Sequence, residues 1–282
     1  MKKAVKWITV IAILSAAVLL VALKLVDESN KVEFADEMLG IYIMADGLSN
    51  KSKEENLKGL KYEDFRKDDL KYVTSLRVAN TSRTETLVDL EKCPNLEFLE
   101  IKDGYGKLVL WYGEDYAVQE YKAAYGELPS VPGAEKIKQF EAELEGVLQE
   151  CKQLKDLCIY NWGDSFNLDS VQFLIYGENL TELGLYYLGD IDYSPVLECT
   201  NLEILSLSDC AISDLGQISR LENLRELWLA DTGVKEAGDI VNLKNLETLY
   251  IPGTPLAENE EELQILREAL PGLEIITENP WH

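Results

Sequence analysis

The sequence predicts an α/β solenoid, a stack of short strands and return segments preceded by one transmembrane helix. Three observations predict it: a leucine phrase recurs at fixed spacing along most of the chain, an apolar run follows a lysine cluster at the amino terminus, and acids outnumber bases 51 to 27. With 282 residues and 46% apolar content, the chain can build a core of its own. Its net charge of −24 repels nucleic-acid phosphates, so a nucleic-acid partner is excluded early. The single histidine, His282, rules out Ser-His-Asp triads, Cys-His dyads and multi-histidine zinc sites within this polypeptide.

Residues 1–26 are the expected anchor. Lys2, Lys3 and Lys6 precede Trp7 to Leu23, 17 residues without a charge, and Lys24 follows. A helical span needs about 17 to 25 residues, whereas the apolar stretch of a cleavable signal peptide has roughly 7 to 15. The small-x-small triplet Ser15-Ala16-Ala17 lies inside the apolar run, and cleavage there would leave VLLVAL at the new terminus. An uncleaved signal anchor is therefore favoured over secretion after cleavage. No cysteine follows the run, so a lipid anchor is unsupported. The positive-inside rule puts the lysines in the cytoplasm and everything after about residue 27 outside, on a single-pass cell-membrane protein. The 26 residues hold four lysines and no acid, which leaves 27 − 4 = 23 bases against 51 acids outside, a net of −28.

The repeat follows. Leu202-x-x-Leu205-x-Leu207, Leu224-x-x-Leu227-x-Leu229 and Leu246-x-x-Leu249-x-Ile251 stand 22 residues apart. Leu180-x-x-Leu183-x-Leu185, Leu154-x-x-Leu157-x-Ile159, Leu96-x-x-Leu99-x-Ile101 and Val73-x-x-Leu76-x-Val78 extend the frame to seven copies. The later copies share further apolar positions, Ile212, Leu215, Ile218 and Leu221 in one and Val234, Ala237, Ile240 and Leu243 in the next. Such a frame reads as stacked coils, since one coil cannot bury its own apolar face.

These residues resemble the bacterial internalin-like leucine-rich repeat family in its 22-residue form. The resemblance covers about residues 73–276, apart from an insertion. It implies a right-handed solenoid with a parallel β-sheet on the concave side and short helical or 3₁₀ segments on the convex side. Thr81, Cys210, Thr232 and Thr254 occupy the turn position where the family usually has asparagine, while Gly104, Trp162 and Leu188 depart from it.

Residues 27–72 then form a linker and an N-terminal cap, with Asp36 as a helix N-cap and Gly40 and the Ile41 to Met44 run blurring the helical pattern. At the other end Asn259 to Leu270 places Leu263, Leu266 and Leu270 at helical spacing, so this helix and Leu273-x-Ile275 are expected to cap the stack, and residues 277–282 are a tail. The insertion, at about residues 104–150, separates Ile101 from Leu154 by more than one coil. Ala134 to Gln153 reads as an amphipathic helix with Ile137, Phe140, Leu144, Val147, Leu148 and Cys151 on one stripe. Glu114 to Tyr125 reads as a second helix, and the loop Gly126 to Gly133 joins them. Functional insertion and packing on the convex side are both open readings.

Among the five cysteines, Cys93, Cys151 and Cys199 lie three residues before a repeat-opening leucine, where other coils carry Leu221, Leu243 and Leu270. They read as buried replacements for leucine rather than disulfides or metal ligands. Cys158 alone lies on the strand face that points outward, and it is the thiol to examine for reactivity.

Side chains alternate along a strand, so the third, fifth and seventh positions of each phrase point away from the core. Tyr160 is expected to flank Tyr186, and Trp228 to flank Tyr250, with Gly184, Ser206, Ser208 and Ala230 forming a notch between aromatic walls. Asp156, Glu182 and Glu226 edge the notch on one side, and Tyr187, Asp209 and Asp231 approach from the turn. Aromatics beside acids suit a protein or peptide with basic residues, or a glycan; the competing reading is cross-strand pairing that stabilises the sheet. The expected function is therefore a membrane-anchored, extracytoplasmic module that binds another protein through its concave face. A carbohydrate or cell-wall binder is the alternative, and an enzyme using paired carboxylates is disfavoured because no motif surrounds any pair. No cofactor, metal site or catalytic residue is expected; Asp164-x-x-Asn167-x-Asp169 has the wrong spacing for a calcium loop.

Overall fold

The computed structural model describes residues 29–78, 84–102, 119, 134–161 and 168–279. Eight short strands form one parallel sheet in chain order: β1 (Ser75–Val78), β2 (Phe98–Ile101), β3 (Asp156–Tyr160), β4 (Glu182–Tyr186), β5 (Ile204–Ser206), β6 (Glu226–Trp228), β7 (Thr248–Tyr250) and β8 (Glu274–Ile276). Parallel neighbours in sequence order require every strand to be followed by a return to the same end of the sheet, so the chain winds as a solenoid. The middle leucines of the phrases fall in register, from Leu76 opposite Leu99 through Leu157, Leu183, Leu205 and Leu227 to Leu249 opposite Ile275. All of these leucines are buried, forming a column through the core, and Ile275 on the last coil is partly buried. The Leu273-x-Ile275 segment, expected as part of a cap, thus pairs as an eighth strand.

The returns are short 3₁₀ segments, Val88–Lys92, Gln172–Tyr176, Ser194–Glu198, Ile218–Arg220 and Gly238–Asn242, each burying at least one apolar side chain such as Leu90, Leu174 or Ile240. A 22-residue coil has little chain left after its strand and turns, which suits a compact 3₁₀ turn better than a longer helix. The described part of the insertion is a helix packed against two of these returns, Val88–Lys92 and Gln172–Tyr176. Ile137, Phe140, Leu144, Val147 and Leu148 are its buried residues. Carboxylates secure it to both neighbours: Glu143 accepts from the Leu87 N–H at 2.6 Å, and Glu141 accepts from Asp169 and Ser170 N–H at 3.0 and 2.8 Å. The helix ends at Glu150 rather than Gln153, because the turn through Cys151 to Leu154 must deliver the chain to β3. The second expected helix, Glu114 to Tyr125, lies outside the described residues except for helical Gln119.

Two columns of polar side chains run along the stack, the first joining coil to coil and the second mainly closing the turn within each coil. The asparagine just before the opening leucine donates to a carbonyl of the preceding coil: Asn95 to Lys71, Asn201 to Glu178, Asn223 to Thr200 and Asn245 to Glu222, at 2.7 to 3.0 Å. At the turn after the strand, Thr232 and Thr254 hydroxyls donate to Leu229 and Ile251 carbonyls, and Cys210 Sγ donates to the Leu185 carbonyl at 3.3 Å. The coil that departs from this pattern at Trp162 uses Asn161 instead. Buried Asn161 donates to the Tyr187 carbonyl and accepts from the Leu168 N–H, so the asparagine is displaced by one residue rather than lost.

The amino-terminal cap contains the helix α1 (Glu37–Glu54). Asp36 caps it, accepting from the Leu39 N–H at 2.6 Å, and its other oxygen accepts from the Glu85 N–H of the first coil. The Asp36 N–H donates in turn to Asp89, a fully buried carboxylate paired with Lys92 at 2.7 Å. The insertion helix is numbered α2 (Ala134–Glu150), and α3 (Glu260–Ala269) follows Asn259, whose side chain caps it through the Glu262 N–H. Leu263 and Leu266 of α3 are buried. Among the described residues no helix is long and apolar enough to cross a membrane. The expected span, residues 7–23, lies outside the described residues.

Gly40 and Gly47 explain the blurred helical pattern of α1. A Cβ at Gly40 would sit 2.7 Å from the Phe34 ring, and one at Gly47 would sit 2.6 Å from the Phe65 ring. The glycines let two aromatic rings lie against the helix backbone. Ala for Gly inside a helix ordinarily stabilises by roughly 0.5–1 kcal/mol, but here overpacking by about 1–3 kcal/mol outweighs that gain. Gly47→Ala is therefore expected to lower stability in urea unfolding, and Phe65→Leu is expected to recover part of the loss in the double variant. An increase in stability for Gly47→Ala alone would contradict this packing.

Candidate functional site

The outward face of the sheet carries the candidate residues. In register, one row runs Phe98, Asp156, Glu182, Ile204, Glu226, Thr248, and the next runs Glu100, Cys158, Gly184, Ser206, Trp228, Tyr250. Tyr160 and Tyr186 stack with ring centroids 4.4 Å apart and planes 7° from parallel. Trp228 and Tyr250 lie 4.6 Å apart, tilted by 35°. Strand spacing of about 4.8 Å places β4 and β6, which carry Tyr186 and Trp228, roughly 10 Å apart.

The floor between them is closed rather than open. A Cβ at Gly184 would lie 2.7 Å from the Tyr186 ring and 2.9 Å from Cys158 Sγ, so Tyr186 folds down over the position where Gly184 has no side chain. The Tyr186 hydroxyl reaches toward Ser206 and Tyr160, and Ser206 donates to Ser208 at 3.4 Å. Ser206 and Ser208 are buried, as is Tyr250 at 7% exposure. The expected notch is therefore a shallow aromatic band whose accessible parts are the half-buried Tyr160, Tyr186 and Trp228. Trp228 is held by its indole N–H, which donates to Glu226 at 3.2 Å.

The turn side has its own geometry. Tyr187, Asp209, Asp231 and Gly253 occupy equivalent turn positions and all have left-handed backbones, with φ of 64°, 59°, 55° and 73°. Aspartate tolerates that region and glycine prefers it, whereas tyrosine there is strained. The Asn161 side chain holds the Tyr187 carbonyl, and the Tyr187 hydroxyl stands near the Asp209 carboxylate. Asp231 Oδ1 occupies the space where a side chain at Gly253 would begin, so only glycine fits beside it. Burial raises the Asp209 carboxyl above the usual range, Asp231 adds to the rise, and the Tyr187 hydroxyl opposes it.

At the other end of the face Asp156 is pushed up to about 6, first by burial and then by Glu182, with Arg77 opposing. The same surroundings push the Cys158 thiol up to about 12, through burial and then Asp156 and Glu182. Cys158 is thus held protonated, against the reactivity considered from sequence. The remaining four cysteines are free and buried. Cys151 and Cys199 donate to the Leu90 and Leu174 carbonyls of the preceding coil at 3.3 and 3.4 Å. No group of acids, cysteines or histidines suited to a metal occurs among the described residues.

Sequence reasoning that began at β3 missed part of the face. Arg77 lies over the Phe98 ring at 4.8 Å and pairs with Glu100 at 3.6 Å, and Lys102 also pairs with Glu100. The same alternation rule applied to the first two copies would have found them. Here the chain's own guanidinium sits between an aromatic ring and a carboxylate on this surface. A groove of about 330 Å³ is lined by Asp192 and Asp214 and one of about 370 Å³ by Asp214 and Asp239, and the Asp192 and Asp214 carboxylates cap local turns at the Ser194 and Gly216 N–H.

No family model matches the chain and no curated protein matches it. Among solved structures, an internalin C2 from Listeria monocytogenes aligns at a TM-score of 0.52 and 17% identity, over 86% of this chain and 83% of that one. An internalin F from the same organism aligns at 0.45 and 14% identity, over 87% and 76%. A leucine-rich repeat protein of Leptospira interrogans aligns at 0.43 and 18%, over 73% and 49%. The first likeness shows the fold, a leucine-rich repeat solenoid; the other two scores are too low to add to it.

The Asp156 environment has a pH signature. Its folded pKa lies above the unfolded value near 3.9, so its protonated form favours the fold. That contribution is fully present below about pH 4 and is lost as pH rises through about 6. Asp156→Asn is expected to stabilise the protein at pH 7 and to leave it unchanged at pH 3.5, measured by denaturant unfolding at both. Glu182→Gln should lower the Asp156 titration midpoint only in part, since burial is the larger cause. In the native protein at pH 7.5, Cys158 should resist a thiol reagent that labels an exposed cysteine within minutes.

Proposed function

We propose that this chain is a binding module, held to the outer side of a membrane by residues 7–23, that engages a segment of another protein on the outward face of its sheet. The observation that carries the reading is the chemistry of that face. Half-exposed Tyr160, Tyr186 and Trp228 stand beside the carboxylates of Asp156, Glu182 and Glu226. Asp156 is kept partly buried next to Glu182, where it opposes folding at neutral pH. A packing role alone gives no reason to retain a charge there, whereas a cationic partner would relieve it.

The partner this face suits is an extended basic segment. Aromatic faces attract Lys and Arg, and carboxylates beside them complete the site. Arg77 between Phe98 and Glu100 supports the same chemistry within the chain. A glycan stacked on Trp228 is the second reading, favoured by the half-exposed indole. The solenoid is read as non-catalytic, since the one thiol among the acids of the row, Cys158, is held protonated.

Capture from surface and secreted material by the parent and by Tyr186→Ala/Trp228→Ala tests the reading. A partner held by the parent and lost by the double variant is expected. Salt-sensitive capture abolished by Asp156→Asn/Glu182→Gln identifies a basic segment, and salt-insensitive capture a glycan. A partner retained equally by parent and both variants would place the binding surface elsewhere and overturn the proposal.

A further inference from the structure

A second surface lies on the amino-terminal cap, away from the sheet. Among the described residues four large hydrophobic side chains are exposed, and two of them, Leu57 at 38% and Tyr62 at 53%, fall within six residues on the cap. Between them Gly59 turns with φ 72°, and Leu48, Leu60 and Tyr62 help to line a groove of about 570 Å³ against α1. Lys53, Lys58 and Lys61 are exposed around it, interspersed with the exposed acids Glu54, Glu55, Glu63 and Asp64, so the patch is mixed in charge where the coils are acidic. Lys61 has a loose surface pair with Glu63 at 3.5 Å. Residues 51–71 hold seven Lys and Arg against six Asp and Glu, net +1, in a chain whose net charge is −24. Elsewhere the balance is 20 bases against 45 acids.

The path of the chain ties this patch to residues 7–23. Lys67 holds the described start of the chain: its ammonium donates to the Ser29 carbonyl at 2.8 Å and its N–H to the Asn30 carbonyl at 2.9 Å. From Leu23 to Ser29 there are six residues, a reach of at most about 20 Å. Tyr62 is five residues from Lys67, at most about 18 Å away. If residues 7–23 lie in a bilayer, the cap has little freedom to stand far from its surface.

We infer that the cap patch formed by Leu57, Leu60, Tyr62 and the surrounding lysines rests on anionic phospholipid, and that this contact orients the solenoid outward. The inference rests on the anchor reading proposed above. Its physical terms are the insertion of a few apolar side chains at the headgroup level and the attraction of lysines to an anionic surface. The same surface repels the acidic coils, so the stack beyond the cap is held off the lipid and its sheet stays open to a partner. Each lysine near such a surface shifts the docked population about fivefold.

The test uses the full chain in lipid nanodiscs of pure phosphatidylcholine or of phosphatidylcholine with phosphatidylglycerol. A nitroxide is placed at Leu57→Cys, and at Ile265→Cys on α3 as a control; the native thiols are buried or held protonated and stay unlabelled. Collision with a water-soluble nickel chelate is read. The Leu57 label is expected to lose accessibility at least about threefold in the anionic discs, and to regain it in Lys58→Glu/Lys61→Glu or Lys58→Gln/Lys61→Gln. The Ile265 label should stay accessible throughout. Equal accessibility of the Leu57 label in both lipids would overturn the inference. Failure of the anchor reading is separately visible, as chain released from the discs by an alkaline wash. In that event flotation of the same chain with phosphatidylglycerol vesicles decides: flotation lost in the lysine variants supports the lipid contact, and no flotation overturns it.

Discussion

Every coil of this protein depends on the next coil to bury its leucines. A strand of three to five residues with one return turn has no second layer of its own, so the column from Leu76 to Leu249 exists only as a shared core. The polar columns follow from the same dependence. Stacking coils leaves carbonyls inside the molecule that Thr232, Thr254 and the thiols of Cys199 and Cys210 satisfy, while Asn201, Asn223 and Asn245 join neighbouring coils at the exposed rim. The ends are closed by different chemistry: α1 covers β1 and is fixed by the Asp36, Asp89 and Lys92 network, while α3 packs beneath the last returns. The insertion helix obeys the rule as well, taking its place among the returns with Phe140 fully buried.

Because stability is supplied by one side of each strand, the other side is free to vary. That separation is why a half-buried Asp156, a strained Tyr187 and a stacked tyrosine pair can coexist with a well-packed core. The outward face also changes character along the stack. Near β1 and β2 its charges are neutralised within the chain by Arg77 and Lys102, and from β3 onward the acids outnumber any cation beside them. The cap differs again, with a local charge near zero and its apolar side chains in the open.

Much of this was legible in the sequence because a fixed period specifies register. Once Leu205, Leu227 and Leu249 are aligned, the neighbours Tyr160 with Tyr186 and Trp228 with Tyr250 follow from alternation alone. Asp36 was legible as a cap, since a short polar side chain before an apolar helical stripe has few other uses. The substitution of Cys93, Cys151 and Cys199 for leucine was legible for the same reason. What period cannot give is the side-chain torsion. Tyr186 folds over Gly184 and closes the floor of the expected notch, a choice made by local packing on Gly184 and Tyr160. Asn161 escaped because it stands one residue before the position the frame assigns, and α1 was blurred because its glycines serve Phe34 and Phe65 rather than the helix. The asparagine before the opening leucine recurs at 22-residue spacing from Asn179 to Asn245 but lies outside the leucine phrase itself.

The central claim is that the outward face of the sheet, from β3 to β7, is where a partner is held. Hydrogen exchange of the full chain with and without its captured partner tests it most directly, because each strand is resolved as its own peptide. The account predicts slowed exchange at residues 156–161, 182–188 and 226–231, with the insertion helix and the 3₁₀ returns unchanged. Protection confined to residues 134–150 or to the returns, with the strands unaffected, would contradict it.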